Sequence, residues 1–120
     1  MNIDPTQDRS AEIRELLDTL VRIGAPTFQE KRRSDFIFAW LKEHVSPEVG
    51  QDADGNVWVD LSGGAASVHL VDAHIDKVFS HETVEITKEP ERWHAPGIFD
   101  NTVTCATLMV WARSVVALRK

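Results

Sequence analysis

"VHLVDAHIDKVF", residues 68–79, begins as an apolar run and ends by placing one histidine and two aspartates. Val68, Leu70 and Val71 have the character of a strand interior, which predicts a buried strand over 67–73 with Asp72, His74 and Asp76 at its mouth. Positions two apart on a strand face the same way, so His74 and Asp76 are expected to project together. A neutral imidazole binds a divalent metal well, and a carboxylate on its other ring nitrogen fixes its tautomer and orientation. His-x-Asp is also a common tripeptide, and a lone example at a strand end is more often a solvated loop than a site.

Upstream, Ile13, Leu16, Leu17, Leu20 and Val21 recur at helical spacing, predicting an amphipathic helix over 8–23 that "GAPT" stops. Thr27 with Glu30 three residues later has the form of a capping box and opens a second helix through about His44. Its buried stripe is expected to be Phe36, Ile37, Trp40 and Leu41. "DADGNVWVDLSGG", residues 52–64, carries a turn at Gly55 and the alternating Val57, Val59 and Leu61 of a half-buried strand. Downstream, "TVEITKEP" (83–90) is a further strand candidate ended by Pro90, and residues 102–120 have few breakers and predict a largely buried helix. The order helix, helix, three strands, helix predicts an α/β fold with a mixed β-sheet flanked by helices. No internal repeat, low-complexity segment or linker divides residues 1–120. A helix in the last position is expected to cross back into another strand, so the architecture reads as incomplete.

At 120 residues, 42% of them apolar, the chain can supply the core of one small domain. A formal charge of -6 with both signs mixed along the length offers no basic stripe for nucleic acid and no polybasic segment for an anionic membrane. The polar start "MNIDPTQDRSAEIREL" lacks an apolar core of its own, and no stretch is expected to span a membrane. Together with a single cysteine, Cys105, placed on an apolar helical face, these features predict a cytoplasmic protein.

The second polar cluster is "PGIFDNT", residues 96–102, where Gly97 permits a tight backbone and Asp100 stands just ahead of a helix. Asp in that place is ordinarily an N-cap. A loop following a strand at one end of an open α/β sheet is, however, also where such folds hold their sites.

"PTFQEKRRSDFIFAWL", "DADGNVWVDL", "DAHIDKVF" and "PGIFDNT", in this order and at these separations, resemble the start of the catalytic domain of the dizinc exopeptidases that include aminoacylase, peptidase T and succinyl-diaminopimelate desuccinylase. The resemblance covers nearly the whole chain and implies that residues 1–120 are the N-terminal portion of a zinc-exopeptidase-like catalytic domain. It implies that His74 is a zinc ligand, that Asp76 is the catalytic carboxylate assisting it, and that Asp100 bridges two zinc ions. It also implies a cis peptide bond after Asp100 if "PGIFDNT" keeps the family geometry, and a trans bond if the truncated site has relaxed. The reaction implied is hydrolysis of a peptide or N-acyl amino acid by metal-activated water.

The family's glutamate base, its remaining ligands and the lid domain that mediates a homodimer would all lie beyond this sequence. One His and one bridging Asp cannot by themselves hold two zinc ions, so the chain alone is expected to be inactive. The sequence also departs from the family pattern. Lys77 stands where Thr or Ser is usual and is expected to bring a cation near the site, Ser80 replaces a frequent Pro, and Thr104 a frequent Gly. His44, His69, His81 and His94 have no role in the pattern. The alternative is a noncatalytic remnant serving as a binding or interaction module. If the chain is instead a fragment of the enzyme, Val110, Trp111 and Val115 are expected to lack partners.

Overall fold

The computed structural model describes residues 7–79 and 84–119; Ser80, His81 and Thr83 lie outside the described residues. Three helices, α1 (Ser10–Arg22), α2 (Lys31–His44) and α3 (Val103–Leu118), carry the core. Leu16, Leu17, Leu20 and Val21 of α1 meet Ile37 and Leu41 of α2 and Cys105, Ala106, Met109 and Val110 of α3. Full burial of each larger side chain contributes about 1.5–3 kcal/mol. The predicted α1 stripe is the observed one. On α2 the stripe is turned toward its start: Arg33, Ser34, Ile37 and Leu41 are buried, while Phe36 and Trp40 are half-buried.

The predicted capping box is absent. Glu30 occupies the N-cap position without a side-chain capping bond, and its Oε1 instead accepts a hydrogen bond from the Phe28 N–H at 2.7 Å. The cause is a tight turn closed by Gln29 N–H on Pro26 C=O, with Phe28 at φ 68°, which places Thr27 inside the turn with its hydroxyl on Asp76 instead of on the helix.

The architecture is mixed α/β in a general sense, but the described residues form no mixed sheet. Two separate antiparallel pairs replace it: β1 (Gly50–Gln51) with β2 (Val57–Trp58), and β3 (Thr87–Lys88) with β4 (Trp93–His94). Residues 67–73 pair in no strand among the described residues, and Val68, Leu70 and Val71 are 65%, 87% and 55% exposed rather than buried. An apolar run becomes a strand only when a neighbour accepts its backbone bonds. Here a groove of about 1500 Å³ is lined by this run, by residues 57–61 and by Met109 and Ala112 of α3. Alternation within 57–61 survives, with Val57, Val59 and Leu61 turned partly inward.

The run from Ile98 to Leu118, interrupted by non-helical Asp100 and Asn101, is long and apolar enough to cross a membrane by length and composition alone, a test that the core helix of a soluble protein also passes. In the fold, Cys105, Ala106, Met109, Val110 and Ala112 of this run face the core. Val110 is therefore buried, not partnerless, whereas Trp111 is 49% exposed.

Candidate functional site

Residues 75–77 are held in place by the connection between α1 and α2. Lys77 N–H donates to Ala25 C=O at 2.7 Å and Thr27 N–H to Lys77 C=O at 3.1 Å, a short parallel bridge. That bridge sets the Thr27 hydroxyl on Asp76, donating to Oδ2 at 2.6 Å. Chiefly because of this bond, and with the positive charge His74 can carry as a smaller cause, the Asp76 carboxyl is held below the usual carboxylate range; partial burial opposes the shift.

Asp76 faces His74. Its Oδ1 lies 3.3 Å from His74 Nδ1, and its own backbone carbonyl lies 3.2 Å from the same nitrogen. The opposite ring nitrogen, Nε2, lies 3.0 Å from Asp100 Oδ1. His74, Asp76 and Asp100 are thus brought together, as the sequence predicted for one site. Asp100 does not act as an N-cap: Thr102 is the cap residue of α3, Asp100 and Asn101 have non-helical φ/ψ, and the Asp100 carboxylate turns to the imidazole. The Asp100–Asn101 peptide bond is cis.

Contrary to the sequence-based expectation, Lys77 does not bring a cation beside His74 and Asp76. It is 2% exposed, with Nζ within 3.5 Å of the Val21 carbonyl and 3.4 Å of the Pro96 carbonyl, beneath the site rather than in it. Burial, reinforced by the positive charge of Arg33, pushes its ammonium down to about 8. Gly97 makes this placement possible, since a Cβ there would collide with Lys77 Cδ and the backbone stands at φ 72°.

Two contributors were not singled out in the sequence. Thr27 is 49 residues from Asp76, so spacing does not report their contact. Arg33 sits four residues before Ile37 on the buried stripe of α2, a position that could have singled it out from the basic run "KRR". Cys105 Sγ donates to the His74 carbonyl at 3.0 Å, and burial pushes its thiol up to about 11. Of the other histidines described, His44 stacks obliquely near Trp40 with ring centroids 4.6 Å apart, His69 lines the groove, and His94 lies 3.8 Å from Glu89.

The His74 and Asp100 side chains are 51% and 79% exposed. Two ligands of one tetrahedral zinc, at about 2.0–2.2 Å each, stand roughly 3.3 Å apart. The observed 3.0 Å is within a few tenths of that separation. These residues fit two positions of a coordination sphere; among the described residues no group of three or more His, Cys, Asp or Glu is placed to hold an ion.

A scan of the chain against protein-family models finds no match, and a search of curated proteins finds none either.

Proposed function

We propose that this chain supplies the His74–Asp100 half of a dizinc amide-hydrolase site, in the manner of the exopeptidase family its motifs resemble, with peptides or N-acyl amino acids as substrates. The observation that carries this reading is the convergence of His74, Asp76 and Asp100, with each imidazole nitrogen facing a different carboxylate. In this reading His74 Nε2 and Asp100 hold metal, and Asp76 holds the ring. Donation from His74 Nδ1–H to Asp76 would fix the tautomer that leaves Nε2 free as a ligand.

Zinc, when bound, supplies a Lewis acid that polarises the scissile carbonyl and lowers the pKa of water. Thr27 keeps Asp76 ionised and aimed at the ring. The two-donor set supports a partial site, so the glutamate base and further ligands come from sequence outside these 120 residues in this proposal. A mixed sheet of the exopeptidase kind belongs to the same proposal, with residues 57–61 and 67–73 becoming paired strands once the groove they both line is filled.

The test is hydrolysis of dipeptides and N-acetyl amino acids with added zinc. The 120-residue chain is expected to give no turnover above buffer. Zinc-dependent turnover that His74→Ala abolishes would overturn the partition of the site, because a base would then exist within this chain.

A further inference from the structure

Arg33 is 1% exposed and has no carboxylate partner among the hydrogen bonds of the described residues. Its guanidinium is instead saturated by oxygens from three other parts of the chain. Nη2 donates to Leu20 C=O at 2.8 Å and to Ile23 C=O at 2.7 Å, and Nε donates to Ile23 C=O at 3.2 Å. These carbonyls lie at the C-terminus of α1, where orphan carbonyls and the helix dipole favour a cation. Nη1 reaches the other way, donating to Ile75 C=O at 3.1 Å and to Thr102 Oγ1 at 3.0 Å. Thr102 Oγ1 in turn donates to Gly97 C=O at 2.9 Å.

Ile75 stands between His74 and Asp76, and Thr102 stands two residues after Asp100. One nitrogen of one side chain therefore ties both halves of the candidate site to a single point. A planar guanidinium with five N–H donors in a fixed fork can make these bonds together, which an ammonium cannot. We propose that Arg33 is the positioning residue of the site, setting the register of His74 against Asp100 through Ile75 C=O and Thr102 Oγ1. It touches neither ligand, and the proposal rests on the functional reading above only in taking the pair as a metal site.

The test separates positioning from mere stability. Long-range proton–nitrogen spectra of the histidine rings are recorded on the full chain, with His74 assigned by its loss in His74→Gln. Thr102→Val removes the Arg33 contact on the Asp100 side, together with the Thr102–Gly97 bond, and leaves α1, α2 and Ile75 C=O in place. It is expected to shift the His74 Nε2 resonance while the chain stays folded, and Thr102→Ser is expected to restore it. Arg33→Lys is expected to shift both ring nitrogens. Zinc affinity should fall at least tenfold in Thr102→Val and return in Thr102→Ser.

Ring resonances left at their wild-type positions in Thr102→Val, with only the melting temperature lowered, would make Arg33 a purely structural residue and overturn the proposal; so would failure of Thr102→Ser to restore them. If Arg33→Lys does not fold, the Thr102 pair decides. If the wild-type chain binds no zinc, the metal reading fails while the ring spectra still decide the role of Arg33.

Discussion

The Thr27 hydroxyl donates a 2.6 Å hydrogen bond to Asp76 Oδ2, leaving Oδ1 of the same carboxylate 3.3 Å from His74 Nδ1. One carboxylate is thereby fixed from behind and presented forward. Thr27→Val should release it. The Asp76 carboxyl, read by its carbon chemical shift against pH, is expected to titrate closer to the ordinary value of 3.8 than in the wild type. The sign follows from linkage: a carboxyl depressed in the folded state stabilises above its unfolded value and loses that contribution as pH falls through the folded one. Thr27→Val should therefore be less sensitive to acid over that window than the wild type. An unchanged Asp76 titration would show that the hydroxyl does not hold the carboxylate.

Lys77 predicts a trend of the same sign at alkaline pH. Its folded-state ammonium titrates near 8 and its unfolded one near the ordinary 10.5, so between these the unfolded chain binds more protons and stability rises with pH. Cys105, raised to about 11 from 9.0, opposes this above pH 9, because there the folded chain keeps a proton the unfolded chain has lost. The clean window is pH 8 to 9. Lys77→Met retains an unbranched stem and removes the buried charge, and should be more stable at pH 7 by at most about 3 kcal/mol. Denaturant melts across this window should show the wild type closing part of that gap; a constant gap would contradict it.

Gly97→Ala should destabilise the chain by roughly 1–3 kcal/mol, combining a left-handed backbone with overpacking against Lys77. The double variant Gly97→Ala with Lys77→Ala should recover the packing part of that loss and keep the backbone part. Full additivity of the two changes in thermal melts would show that the glycine and lysine are not in contact.

The run at Val68, Leu70 and Val71 is exposed and pairs in no strand among the described residues, the combination that templates association between chains. Leu70 is 87% exposed, so Leu70→Lys removes little packing. It should reduce self-association in sedimentation by severalfold at constant melting temperature. A lowered melting temperature would mean that this leucine is part of the core.

The helices were legible because their apolar positions repeat within a few residues, as at Leu16, Leu17, Leu20 and Val21, and the period itself encodes the buried face. Residues 67–73 were misread for the converse reason: strand formation depends on a neighbour that no local pattern reports, and among the described residues they pair in no strand. The convergence of His74, Asp76 and Asp100 followed from motif order and a resemblance. The atoms that hold them did not. Thr27 looked like a cap and Lys77 like a cation beside the ligands, and only the tertiary bridge between 25–27 and 77 assigns one to Asp76 and buries the other.

The central claim, that His74 and Asp100 jointly hold a divalent ion, is tested most directly by equilibrium dialysis of the full chain against zinc at neutral pH. The wild type should bind saturably. His74→Ala and Asp100→Asn should each weaken binding by more than tenfold, and Asp76→Asn, which disturbs only the orientation of the ring, by about tenfold. Zinc binding that is undiminished in either His74→Ala or Asp100→Asn would contradict the account.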